Sequence, residues 1–465
     1  MTMRAQLIID CGSSLLSALI VTADGAVVPC SREIRQTSTR HIPSAIVFDR
    51  RVTERPDFAW DEALEGLAKA QPHQFFQRAR RIGLRHPWED DLGAGALQLA
   101  SPLALLSSAA ALTDPAVQPA LSAVGVALLD ALLDPIFSFA AARKLAPGDV
   151  DAVVIIPVNV GRLARAALHK IFRRRGFRRL TLLPREIAAA MALIDTPAAG
   201  CLVWDASDHG LYLHRVALER EGDEQLLTTT ASNTLRGLSW SKRELQGLLD
   251  DARREQQRAE LAPRLRRALA EMGENIPSIA VGEICALDAV RRLLFEAGGV
   301  DECAPASDVP VLDRLARGAA AAALWLRGGA SRRIVIRASG GLRVNTLRGR
   351  TVEILSGEQL PAAGENCHLG VTLPLCGASD SNAPFLLHFL WGADRAPEGN
   401  ATLCALRLDR GAARDCRDAL HVSVHLRRSR SGRRLDGTVH VRGAAARSRF
   451  THEFPLLPTG REVSR

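Results

Sequence analysis

The chain has 465 residues, 47% of them hydrophobic and 24% charged, with a formal net charge of +9. Such a balance describes an ordinary globular protein of roughly two to four domains at about 150 residues each. The nine cysteines are odd in number and scattered without a C-x-x-C pair, which fits buried free thiols in a reducing cytoplasm better than disulfides or a zinc site.

The chain opens on L-I-I-D-C-G-S-S-L-L-S-A-L-I at residues 7–20, which reads as two apolar strands joined by a turn carrying Asp10, Gly12, Ser13 and Ser14. An aspartate in such a place costs free energy unless something charged or polar meets it. No basic leader, apolar h-region or small-residue cleavage site precedes the first strand, so a cytoplasmic location is expected. The oily stretch 123–142 is broken by Asp130, Asp134 and Pro135. It falls short of the roughly 18 uninterrupted apolar residues of a membrane span and reads as one or two core helices. A strand D-A-V-V-I-I-P and a basic helix from Arg162 complete an α/β region over residues 1–200.

Residues 201–330 form a shorter echo. The strand C-L-V-W-D, a turn, L-Y-L-H-R-V-A-L, a charged helical stretch over 241–272, the strand I-P-S-I-A-V and two helices follow in order. From Ile334 the period switches to two, with Gly, Pro, Asn and Asp clusters between the runs, so residues 331–465 read as an all-β domain. His214, His421 and His425 alternate with apolar residues and are expected at the surface or core edge.

Two arginine clusters, at 173–179 and 427–434, raise the question of nucleic acid. The first lies at the end of the amphipathic helix and the second at a hairpin tip between alternating strands, where polar residues are ordinary. Aromatic residues make up only 4% of the chain, so stacking platforms for bases are scarce. Neither nucleic acid nor a membrane is an expected partner.

Asp205 follows the strand L-V-W as Asp10 follows L-I-I, and Gly210 closes its turn. Paired strand–Asp–turn–strand units suit a nucleotide cleft, where turn amides grip phosphate and the aspartates hold hydrated magnesium. The order of L-I-I-D-C-G-S-S, I-P-S-A-I-V-F-D, F-Q-R-A-R-R-I-G, A-V-V-I-I-P, L-P-R-E-I-A-A-A, L-V-W-D and G-A-A-A-A-A resembles the nucleotide-binding domain of the DnaK-type (heat shock protein 70) chaperones of the actin-like ATPase superfamily. L-R-G-R-T-V-E-I-L-S-G-E-Q-L-P resembles a segment of their peptide-binding β sandwich.

The resemblance implies a two-lobed actin-like domain with a reduced second lobe, followed by a β sandwich without its helical lid. It implies ATP or ADP with Mg2+ as cofactors, Asp10 and Asp205 as magnesium-organising residues, and Gly12, Ser13, Ser14, Gly210 and Gly282 on the nucleotide. The expected partner is unfolded peptide, a dedicated protein client or a second chaperone-like protein.

Departures from the family pattern point away from turnover. Ala79 stands where the family has a water-positioning lysine, Arg185 where it has a glutamate with Glu186 one position late, and Ala206, Ser207, Asp208 and His209 where it has a glycine run. Glu283 takes the place of a glycine beside Gly282. The expected activity is weak or absent ATP hydrolysis, and the alternative is a nucleotide-independent adaptor on the same scaffold.

Overall fold

The computed structural model describes residues 5–12, 15–22, 27–29, 42–43, 45–49, 84–85, 96–100, 102–103, 106, 117–157, 160–193, 200–207, 210–221, 224–235, 251–272, 276–282, 284–286, 288–299, 311–325, 333–336, 340–345, 351–356, 359–374, 385–392, 400–408, 419–430, 434–441 and 447–453. It is mixed α/β in the first two thirds and all-β in the last third.

The opening run folds as β1 (Gln6–Cys11) and β2 (Leu15–Val21), antiparallel, followed by the short strands β3 (Val27–Pro29) and β4 (Ile42–Pro43). A separate small sheet joins β5 (Ala45–Asp49), β6 (Leu84–Arg85) and β7 (Ala96–Ala100). Helix α1 (Val117–Ala142) is a single helix that carries Pro135 inside it. By length and composition its segment Gly125–Ala142 is apolar enough to cross a membrane, and 44% of that segment is buried inside the protein. Then come β8 (Asp151–Ile156), α2 (Arg162–Arg174), β9 (Leu180–Pro184) and α3 (Arg185–Met191). The first sheet runs β3-β2-β1-β8-β9, with β1, β8 and β9 parallel and β4 paired to β2.

The second sheet is built from β10 (Gly200–Ser207), β11 (Gly210–Glu221) and β12 (Glu224–Leu235) as an antiparallel meander. Helix α4 (Asp251–Met272) leads to β13 (Ser278–Val281), which lies parallel to β10. Helices α5 (Asp288–Gly298) and α6 (Val311–Trp325) follow. The order β12-β11-β10-β13 repeats the order β3-β2-β1-β8 of the first sheet. Strand β14 (Arg333–Ile336) has the period of the all-β region, yet it pairs parallel to β12 and extends the second sheet. A short alternating run carries no mark of the sheet it joins, which is set by what packs on its two faces.

Alternation along the strands sorts their side chains into layers. Leu7 and Ile9 of β1 pack with α1 and α2, whereas Ile8 packs with α3 and α6. In β10, Leu202 and Trp204 pack with α4 and α5, whereas Cys201 and Val203 face the same central helices as Ile8. The result is five layers: helices, sheet, the shared pair α3 and α6, sheet, helices. At the centre Gly318 of α6 lies so close to α3 that a Cβ there would collide with the Ala188 carbonyl oxygen. The small residues of both segments, R-E-I-A-A-A-M and G-A-A-A-A-A, permit that approach.

The remaining strands are β15 (Gly341–Asn345), β16 (Thr351–Ser356), β17 (Asn366–Pro374), β18 (Phe385–Gly392), β19 (Ala401–Leu408), β20 (Ala419–Arg428), β21 (Arg434–Val441) and β22 (Arg447–Glu453). They form two four-stranded sheets, β16-β15-β18-β19 and β17-β20-β21-β22. Phe389 and Leu406 of one meet Val424, Val439 and Phe450 of the other in a common core.

Candidate functional site

Position along the strand decides where the two aspartates go. Asp10 lies two residues past Ile8, and Asp205 two past Val203, so both carboxylates point into the central layer between the sheets. Helix α3 starts in that layer directly after Pro184, with Arg185 as its first residue. The positive end of a helix dipole is a poor place for an arginine. Here the two carboxylates outweigh it.

Arg185 Nε and Nη2 donate to Asp10 Oδ1 at 3.2 and 2.9 Å. Its Nη1 donates to Asp205 Oδ1 and Oδ2 at 3.0 and 3.2 Å. All three residues are buried, with exposures of 1% for Arg185, 7% for Asp10 and 3% for Asp205. The guanidinium therefore joins the first strand of one sheet to the first strand of the other. Burial raises the Asp10 carboxyl above its ordinary range, and the Arg185 charge and hydrogen bond work against that shift.

Glu186, the next residue, is also buried and accepts from Thr229 Oγ1 at 3.4 Å. Burial pushes its carboxyl up to about 7, with the Asp205 carboxylate adding to the shift and hydrogen bonds opposing it. His214 is buried rather than at the surface or core edge. Its Nδ1 lies 2.8 Å from Ser232 Oγ, and burial pushes its imidazole down to about 4. The neighbouring thiol of Cys11 is held protonated by burial and by Asp10, which leaves it unreactive.

The structure brings Asp10, Asp205 and Gly282 together. Gly282 has φ 94°, and a Cβ there would collide with the Ala206 carbonyl oxygen and Asp205 Oδ1, so the chain after β13 is pressed against the carboxylate. Gly12 is buried just past Asp10, and Gly210 opens β11. Ser13, Ser14, Ala79, Asp208, His209 and Glu283 lie outside the described residues. Among the described residues no group of three or more His, Cys, Asp or Glu side chains is placed to hold a metal.

A hydrated magnesium ion held by Asp10 and Asp205 would need the place that the Arg185 guanidinium takes between the two carboxylates, and the residues present do not fit both. Magnesium requires oxygen ligands at about 2.0–2.1 Å in near-ideal octahedral geometry. A like charge beside it costs about 4 kcal/mol per unit pair at 4 Å for an effective dielectric near 20.

The bridging role of Arg185 is what sequence reasoning missed. Read against a glutamate it registers as a loss, although two aspartates bound for one buried layer require a cation in that layer. No protein-family model matches the chain, and no curated protein resembles its sequence closely enough to count as a relative.

Proposed function

We propose that the protein is a nucleotide-independent adaptor on an actin-like two-lobed scaffold, which holds a polypeptide partner through its β sandwich. The observation that carries this reading is Arg185 between Asp10 and Asp205. Charge that a nucleotide's metal would supply is supplied by a side chain, and the two sheets are fastened to each other through it. Arg174 and Arg175 of the first basic cluster pair with Asp130 and Asp134 of α1, which supports a structural role for them rather than phosphate contacts.

A second reading keeps the DnaK-type cycle in part: ATP with magnesium bound at the paired hairpins, without turnover. The repeated strand order and the two aspartates in the shared layer favour it. Calorimetry with Mg-ATP separates the two. Ligand at 100 times its dissociation constant stabilises a protein by about 2.7 kcal/mol. The adaptor reading expects no heat and no shift in melting temperature at millimolar ATP. A shift that is lost in Asp10→Ala establishes the second reading instead.

A further inference from the structure

The outer face of the sheet β17-β20-β21-β22 carries several histidines and arginines. Val422, Val424, Leu426, Val439 and Phe450 turn inward, so the alternate positions turn out. Those positions carry His368 on β17, His421 and His425 on β20, and His440 on β21, all exposed. Register places His368 opposite His425 and Thr372 opposite His421. The His368 and His425 rings lie 4.0 Å apart between centroids. Ser423 Oγ holds His368 Nε2 at 2.7 Å, and Thr372 Oγ1 lies 3.1 Å from His421 Nδ1.

Four arginines share the face: Arg427, Arg434, Arg447 and Arg449, all exposed. Two acidic positions oppose them. Asp436 is bonded to Arg434 at 3.1 Å and to Thr451 at 2.8 Å and stands in register opposite Arg427, and Glu453 stands in register opposite Arg434. Arg447 is opposite His440, and Arg449 opposite Thr438. Helix α2 comes against β22, and its exposed titratable groups His169, Lys170, Arg173 and Arg174 are basic as well, the last paired with Asp130. Cations thus outnumber acids on this face.

We infer that this face binds an acidic polypeptide segment, rich in Asp or Glu. A carboxylate set about 4 Å from an exposed guanidinium gains about 1 kcal/mol even at the dielectric of water, and the face offers several such positions side by side. An extended polypeptide repeats its side chains every two residues, about 6.6 Å, the same repeat as the outward positions of β20. No Phe, Tyr or Trp stands at the described outward positions of the four strands, and no large apolar side chain there enters a bilayer. The inference rests on the reading of the β domain as the partner-holding part and names that partner's chemistry.

The test uses the full chain and fluorescein-labelled oligoglutamate, read by anisotropy. Oligoglutamine, a DNA duplex and phosphatidylserine vesicles serve as comparison probes. Expected is oligoglutamate binding about tenfold tighter than oligoglutamine binding, a difference of about 1.4 kcal/mol. His368→Gln with His425→Gln weakens oligoglutamate binding, and Arg447→Gln with Arg449→Gln weakens it about fivefold. Melting temperatures of both variants stay with the parent, and added salt weakens parental binding whether or not a variant folds. Binding that survives both pairs, an absence of binding, or tighter binding to duplex or vesicles overturns the inference. Oligoglutamine bound as well as oligoglutamate overturns it too, while leaving the adaptor reading intact. An ATP-induced stabilisation overturns the adaptor reading and leaves this face untouched.

Discussion

The protein handles positive charge in two opposite ways. At the centre, one arginine meets two carboxylates in a buried layer, and its position is fixed by geometry on both sides. On the outer face of the β sandwich, arginines and histidines stand in water with few acids among them. The first arrangement closes a site and the second leaves one open. A cation is a structural part where the surrounding charge is already satisfied, and a recognition group where it is not.

The largest expected effect comes from breaking the buried side of this comparison. Arg185→Met leaves two carboxylates uncompensated and is expected to cost about 3–5 kcal/mol in urea unfolding. If the guanidinium holds the place a divalent cation would otherwise claim, millimolar Mg2+ raises the melting temperature of that variant and leaves the parent unchanged. Replacing the whole set, with Asp10→Asn and Asp205→Asn added to Arg185→Met, is expected to regain much of the loss, because no bare charge remains.

Gly318→Val probes the packing beneath the charges. A side chain there strikes the Ala188 carbonyl, so a cost of about 1–3 kcal/mol is expected from chemical denaturation, with Arg185 displaced as α3 moves.

Acidity sharpens the comparison further. The folded carboxyl of Glu186 is raised to about 7, so the folded state holds a proton that the unfolded chain has released. Its contribution to stability is present below the unfolded value and falls as pH rises toward 7, by at most about 1.4 kcal/mol per pH unit. His214 acts in the other direction, since its folded value is lowered to about 4. Its contribution is present above the unfolded value and is lost as pH falls from about 6.5 toward 4. The two slopes oppose each other in the range they share. Glu186→Gln removes one of them, so stability of that variant, followed by urea titration at several pH values, rises with pH between about 5 and 6.5 more steeply than in the parent.

The smallest effect belongs to the exposed face. Arg427→Gln is expected to leave unfolding within about 0.5 kcal/mol of the parent, as surface substitutions usually do.

Much of this arrangement was legible in the chain. The opening run announced a hairpin because apolar residues flank a short D-C-G-S-S turn, and the second hairpin announced itself by the same device at Asp205. The run R-R-S-R-S-G-R-R marked the tip between β20 and β21. Strand β12 was not legible, since its T-T-T-A-S-N-T stretch alternates weakly and draws its strand character from pairing with β11. His214 was not legible either: alternation says which face a residue takes, and only the third layer says whether that face is covered. Arg185 was hidden for the same reason, since its meaning depends on two residues far away in sequence.

That separation bears on how the chain folds. Arg185 is 20 positions from Asp205 and 175 from Asp10. Closing the longer loop costs about 2 kcal/mol more entropy than closing the shorter one. Arg185 is therefore expected to meet Asp205 first, within the second sheet and α3, and to capture Asp10 only as the N-terminal strand docks. Arg185 follows directly from β9 of the first sheet, so the early bond already ties that sheet's edge to β10 of the second, and the late bond to Asp10 commits the first strand to both.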